Sequence, residues 1–254
     1  APLQAAWSSE MWPRAAEIIR YSHANWSRAD IDAFSRMLTG VILPLIHDGS
    51  SGNGNWELSM VDGMMGIAVF TNNRELLHHA EAMWQERVPA YFYLSAADGD
   101  HPRTLMRKGH TPSWYGQKVF DASTDGVAQE TCRDLNHTGY GIAATMNAAE
   151  TAHIPGGKLY ESEQARLVAA MEFHAKFFLG APVPTSVCGG HLRMGRGYTF
   201  VIGYNEYHNR LGLALPLTAR WIADGVDRAQ EPVDTHMMVF EPLTHSADAA
   251  SRKH

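Results

Sequence analysis

The sequence predicts an all-α protein, and three observations carry that expectation. Apolar residues recur at helical spacing, as in "NWELSMVDGMMGIAVF", which places Trp56, Met60, Met64, Ile67 and Val69 in register. Alternating apolar and polar runs that would signal strands are scarce. The helical stretches are separated by long segments rich in Gly, Asp, Pro and Ser. Helices joined in pairs, with long loops gathered at one end to form a cleft, suggest an (α/α) toroid or an irregular bundle.

Taken in order, Ser9 is placed to cap a helix through "EMWPRAAEIIRYS", with Pro13 tolerated near its first turn. Ser27 is placed to cap "RADIDAFSRMLTGVILPLI". The Met-rich segment after Trp56 is the next helix, its "MVDGMM" run reading as core filling rather than a metal box. "RELLHHAEAMWQERVPAYF" follows after "TNN". Residues 93–127 read as one long excursion, and loops of that length are often functional. A helix is expected over roughly 128–153, broken by "IPGG", and another over 161–179. "GAPVPTSVCGGHLRMGRGYTF" is a second long loop. The last helix is expected at about 204–223, with Pro216 at a kink or boundary, before the loose polar tail "THSADAASRKH".

The 254 residues are enough for one full core and point to a single domain, 1–254. The 45% hydrophobic and 19% charged fractions are those of a folded soluble chain. No apolar run is long enough to span a membrane. The net charge of −6 argues against a general nucleic-acid binder, although a local Arg cluster could still hold an anion. "APLQAAWSSEMW" has neither a basic nor an apolar leader region, so any export signal has been removed or is not included. Cys132 and Cys188 lack metal-ligand spacing; two free thiols and one bridge are both compatible with the sequence. The fourteen histidines form no HExxH-type pair, so no metal is expected.

The chemistry concentrates in "QETCRDLNHTGY". On a helical wheel Gln129, Arg133, Asn136, His137 and Tyr140 share an arc of about 100°. Cys132, Leu135, Ile142, Ala143, Met146 and Ala149 face the other way. A planar cation, an amide, an imidazole and a phenol can together neutralise a carboxylate and move protons. A solvated helix face would also be polar, but would be richer in Lys and Glu. "GSSGNGNWEL" adds Asn53 and Asn55 at a helix start, where Asn is ordinarily a cap. "YNEYHNRLG" adds Tyr204, Asn205, Tyr207, His208 and Arg210 at another.

These three segments, "NWELSMVDGMMGIAVF", "QETCRDLNHTGYGIAATMNAAETA" followed by "GGKLY", and "YNEYHNRLGLALP", occur in that order. On them the chain resembles the alginate lyase-like polysaccharide lyases, helical toroid enzymes that cleave uronic-acid polymers by β-elimination. The resemblance covers roughly residues 50–220, and the seven-residue interval from Arg133 to Tyr140 is its most specific part. It implies that Asn55 and Arg133 hold the uronate carboxylate and stabilise the charge developing at C5. It also implies that Tyr140 donates a proton to the O4 leaving group. Members with a histidine base carry it shortly before the tryptophan, where this chain reads "SGNGNW", and many have a histidine where this chain has Glu206. The base could therefore be Tyr140 itself, His137 or His208. Since one tyrosine can serve only where H5 and O4 lie on the same side, the resemblance favours a mannuronate or glucuronate substrate.

Further substrate contacts are expected from Asn53, Trp56, Gln129, Asn136, Tyr115, Tyr204, His208 and Arg210, with Trp114 and Gln117 as additional candidates in "HTPSWYGQ". Each has a plain structural role open to it: core for Trp56, a capping or buried role for Tyr204 and Arg210, a loop anchor for 110–117. The resemblance implies no cofactor, an anionic uronan as partner, a monomer, and a secreted location (periplasmic in a Gram-negative cell). Family members also carry residues ahead of the region matching Ala1, so the toroid is expected to be incomplete. The sequons Asn25-Trp26-Ser27 and Asn136-His137-Thr138 matter only in a eukaryotic secretory route, and a glycan on Asn136 would block the cleft. Two other readings compete: a glycoside hydrolase using Glu130 and Asp134, which share a helix edge too closely for an inverting pair, and a uronan-binding protein on an inactive lyase scaffold.

Overall fold

The computed structural model describes residues 1–195, 200–226 and 241–245. Residues 196–199 of the second long loop and the expected tail beyond 245 lie outside the described residues. Among the described residues there is no strand, only the isolated bridges Phe92–Ala128 and Arg107–His110, and the fold is all-α. No described helix is long and apolar enough to cross a membrane.

Helix α1 spans Pro2–Tyr21, so Ser9 is not its cap and Pro13 is not in its first turn. Pro2 opens the helix where a missing N–H costs nothing. Pro13 instead leaves the Ser9 carbonyl without its helical donor. A Cβ on Gly66 would stand 3.0 Å from that carbonyl and one on Gly63 would overlap Ser9, so α1 packs backbone-close on the helix carrying these glycines. Helix α2, Arg28–Met37, starts as expected: the Ser27 hydroxyl accepts from the Asp30 N–H at 3.2 Å. It runs through a π-helical turn, Leu38–Ile42, into α3, Leu43–Ile46.

Helix α4, Gly54–Thr71, is buried on nearly every side. A helix apolar all round is a core helix, and α1, α5 (Arg74–Tyr91) and α7 (Leu135–His153) all pack against it. Asn72, left-handed at φ 54°, ends α4, and Asn73 caps α5 by accepting from Leu76 N–H at 3.0 Å. The 93–127 excursion contains only α6 (Ser95–Asp98) and a single 3₁₀ turn at Ala122–Thr124. It is tethered by the buried Arg166, which donates to the Phe92 carbonyl at 2.6 Å and to Asp98 at 2.5 Å.

Two expected helices differ. The segment 128–134 is a series of turns, and α7 begins only at Leu135. The expected 204–223 helix is divided. Helix α10 (Val201–Tyr204) passes into a π-helical turn, Asn205–Arg210; Gly212 at φ 71° breaks it, and Pro216 opens α11, Pro216–Val226. Between them lie α8, Leu159–Ser162, and α9, Gln164–Phe178, close to expectation; α12 is Glu241–His245. The starts of α4 and α7 therefore lie beside each other on the core, with the 113–117 and 129–134 loops over them.

Candidate active site

The first N–H groups of any helix lack partners within it. At α4 the Asn53 side chain supplies no cap bond, and the partners come from 75 residues away. Gln129 Oε1 accepts from Gly54 N–H and Glu130 Oε2 from Asn55 N–H, each at 3.1 Å. Glu130 Oε1 accepts from the Arg133 guanidinium at 2.9 Å, and Oε2 also takes the Tyr91 hydroxyl at 3.1 Å. The Asn55 backbone and the Arg133 side chain are thus fixed to the two oxygens of one buried carboxylate. Burial pushes Glu130 above the usual carboxylate range, with Arg133 and the Asn55 N–H opposing it. Burial, and next Glu130 itself, hold the Tyr91 phenol firmly protonated.

Gln129 and Arg133 belong to the turn and not to the helix, which corrects the expected five-residue stripe. The turn is held by its own hydrogen bonds: Ala128 N–H to Thr131 Oγ1 at 2.9 Å, then Thr131 to His174 Nε2 at 2.9 Å. His174 Nδ1 lies 2.7 Å from the Ala170 carbonyl, which fixes Nε2 as the acceptor. Burial lowers the His174 pKa to about 4, so the ring is neutral at physiological pH. Cys132 and Cys188 form a disulfide, which settles the alternative the sequence left open and joins the turn to the loop after α9. In the same loop the Arg193 carbonyl accepts from Leu135 N–H at 2.9 Å.

Asp134 caps α7. Its Oδ1 accepts from His137 N–H at 2.8 Å, and both carboxylate oxygens lie 2.8 Å from His137 Nδ1. Burial alone would raise Asp134; the His137 backbone and ring outweigh it and lower the pKa. On α7, Asn136, His137 and Tyr140 do share a face, as expected. Tyr140 is 6% exposed, between Trp7 at 5.9 Å and His137 at 6.2 Å between ring centroids. Glu130 is buried and Asp134 half-buried, and both carboxylates are engaged in hydrogen bonds that hold the start of α4, Arg133 and the start of α7.

Asn55 is 3% exposed, yet neither atom of its side-chain amide has a hydrogen-bond partner, and Oδ1 is wholly buried. Such an orphan needs an explanation, and a ligand supplies one. Tyr115 donates to Asn53 Oδ1 at 2.5 Å, and the Arg133 guanidinium lies 5.7 Å from the centre of its ring. Trp56 is half-buried against Gly52. The structure therefore brings together Asn53, Asn55, Tyr115, Gln129 and Arg133 in one network, and His137 and Tyr140 as a second group at the start of α7.

It does not bring the third segment to them. Tyr204 stacks on His208 at 4.6 Å, His208 Nδ1 is bonded to the Leu213 carbonyl, and Arg210 is paired with Glu150 at 2.8 Å and Glu206 at 2.7 Å. Gln117 is also structural: it donates to the Val119 and Ser186 carbonyls and accepts from Cys188 N–H. Sequence reasoning missed Tyr91, and it named Glu130 and Asp134 only as a hydrolase pair and not for the roles they hold here. For Asp134 a signal existed, an Asp three residues before the residue whose N–H it caps. Tyr91 and Glu130 act through long-range contacts that no local pattern marks.

The all-α scaffold thus presents an arginine, an unpartnered buried amide, a histidine and a tyrosine at two adjoining helix starts. A family model described as alginate lyase matches residues 11–183, and the chain belongs to the alginate lyase family. Membership carries a polysaccharide lyase-like function. The matched segment holds the first two motifs and ends before the third, in agreement with the separate role of Tyr204–Arg210. No curated protein and no solved structure matches the chain.

Proposed function

We propose that the protein cleaves a mannuronate- or glucuronate-type uronan by β-elimination. Asn55 and Arg133 take the carboxylate of the sugar on the reducing side of the bond, and the enolate-like charge formed when H5 leaves is stabilised there. The C5–H electron pair becomes the C4–C5 double bond, the C4–O4 bond breaks, and Tyr140 protonates O4. Tyr140 also removes H5, which lies on the same face as O4 in these sugars. The observation that carries the reading is the orphaned Asn55 amide, whose backbone shares one carboxylate with Arg133. One observation favours a second base: Asp134 occupies His137 Nδ1, which leaves Nε2 as the free nitrogen beside Tyr140. His208 drops out because it lies in the third segment, stacked on Tyr204 and apart from Tyr140. The disulfide supports an oxidising compartment outside the cytoplasm.

The deciding experiment follows the ultraviolet absorbance of the new double bond on mannuronan, glucuronan and guluronan separately. Tyr140→Phe is expected to lower turnover about 10²- to 10⁴-fold with helical content unchanged. His137→Gln separates the two bases by its smaller or equal loss. Near wild-type turnover in Tyr140→Phe, or guluronan cleaved as fast as the other two, would refute the assignment. Uronan binding without any absorbance rise would make the chain a binding protein.

A further inference from the structure

Helix α1 brings one aromatic side chain to Tyr140 from outside the three motifs and outside the family match, which begins at residue 11. Trp7 is half-buried, and its ring stands 5.9 Å from the Tyr140 ring between centroids, tilted by 41°. His137 meets the same phenol ring edge-on, at 6.2 Å and an interplanar angle of 81°. Tilted and edge-on aromatic pairs at these separations are attractive and directional.

The backbone under Trp7 is fixed against α4. A Cβ on Gly63 would overlap the Ser9 hydroxyl and stand 3.2 Å from the Ala6 carbonyl, so the residues on either side of Trp7 lie close on that helix. The Ser9 hydroxyl donates back to the Ala6 carbonyl at 2.8 Å. A second anchor lies about two turns further along α1, where Arg14 falls within about 20° of Trp7 on the helical wheel. The Arg14 guanidinium donates to Asp62 Oδ1 of α4 at 2.5 Å and to Thr151 Oγ1 of α7 at 2.8 Å. On α7, Thr151 falls within about 20° of Tyr140, about three turns on. The Trp7–Arg14 line of α1 therefore faces the Tyr140–Thr151 line of α7. A charge-assisted hydrogen bond ties the far ends of the two lines, and the two rings meet at the near ends.

Proton transfer to O4 needs the phenol oxygen within hydrogen-bond reach of it, and a misplacement of about 1 Å can cost roughly 10²-fold in rate. A tyrosine ring left to itself samples several rotamers, so a fixed direction has to come from what packs on it. We infer that Trp7 is a positioning residue for the elimination: its indole, anchored by α1 on α4 and α7, sets the direction of the Tyr140 ring and hence where the phenol oxygen meets O4. The inference rests on the functional reading above and adds to it the element that aims the proton donor. Trp7 acts through Tyr140 and not on the sugar. Its role needs a flat ring, so phenylalanine should replace it where an aliphatic side chain cannot.

The test separates kcat from KM on mannuronan in wild type, Trp7→Phe and Trp7→Leu. Leucine keeps apolar bulk on α1, and unchanged helical content shows that each variant is folded. Trp7→Leu should lower kcat about tenfold with KM within about twofold, while Trp7→Phe restores most of the rate. In a Tyr140→Phe background, Trp7→Leu should lower the residual rate by less than about twofold, because no hydroxyl is left to aim; a general packing role would lower both rates alike. Unchanged kcat in Trp7→Leu, a raised KM at unchanged kcat, or an equal loss in the Tyr140→Phe background overturns the positioning role. If wild type forms no double bond, the functional reading falls by itself. The positioning is then read from the Tyr140 ring-flip rate by carbon-13 tyrosine NMR, which should rise in Trp7→Leu and return in Trp7→Phe. A flip rate unchanged in Trp7→Leu overturns it.

Discussion

Glu130 satisfies three donors with two oxygens, and the way those oxygens are shared decides what its loss would do. In Glu130→Gln the amide oxygen can still accept from Asn55 N–H and Tyr91, but the new NH₂ group faces the Arg133 guanidinium donor to donor. The expected cost is about 1–3 kcal/mol of stability, with a larger relative loss in kcat/KM because Arg133 is no longer held. The titration sign follows from the raised pKa. What Glu130 contributes to stability is fully present below its unfolded value near 4.5 and is lost as pH rises through the higher folded value. Activity runs the opposite way: the proton taken up as pH falls through the folded value releases Arg133. Wild type should therefore show an acid limb in kcat/KM that Glu130→Gln lacks. Identical acid limbs in the two proteins would separate Glu130 from carboxylate handling.

Between elements, Tyr91 is the spacer. A Cβ added at Gly54 would meet its ring at 2.3 Å, and one at Gly141 would meet its hydroxyl at 2.3 Å. The last residue of α5 is thus wedged between the first turn of α4, which carries Asn55, and the first turns of α7, where Gly141 follows Tyr140. Gly141→Ala should destabilise by about 1–3 kcal/mol as an overpacked core. In a background of Tyr91→Leu the same change should cost little, a coupling of roughly 0.5–3 kcal/mol in a urea double-mutant cycle. Additive costs would mean the ring is not the obstacle. The elements differ in how far the sequence announced them. Met60, Met64 and Ile67 marked α4, since a buried helix leaves a dense apolar record, and Ser27 marked the start of α2. Pro13 misled because it sits in the middle of α1, not at its start, where the helix packs backbone-close on Gly63 and Gly66 of α4. Gln129–Arg133 misled because five residues at helical spacing look alike whether or not a helix forms. There the outcome was set by Asp134 capping from within the run and by Gly54, Asn55 and Cys188, all remote in sequence. Asn55, Arg133 and Tyr140 were readable as residue types in a motif. The carboxylate that assembles two of them was not.

At the scale of the whole molecule, a buried histidine and a half-buried carboxylate set when acid undoes this arrangement, and they act in different pH windows. His174 supports the 129–134 turn from α9 only while neutral, since Nε2 must accept from Thr131. Its pKa is lowered by burial to about 4 from an ordinary 6.5, so its contribution is complete above 6.5 and is lost as pH falls from 6.5 towards 4, by roughly 3 kcal/mol at most. Glu150 joins α7 to Arg210 and His245. Burial alone would raise it, but the hydrogen bonds from His245 and Arg210 prevail and lower it to about 2 from 4.5. Its contribution, about 1–2 kcal/mol after screening of the part-exposed Arg210, is lost only as pH falls from 4.5 towards 2. Urea midpoints against pH should therefore fall in two stages, the upper stage absent in His174→Gln and the lower in Glu150→Gln. Because the upper stage acts on the Thr131 turn, lyase activity of wild type should weaken together with it while the α7–Arg210 contacts persist. A His174→Gln variant whose urea midpoint falls from pH 6.5 to 4 as much as that of wild type would show that the imidazole does not support the turn.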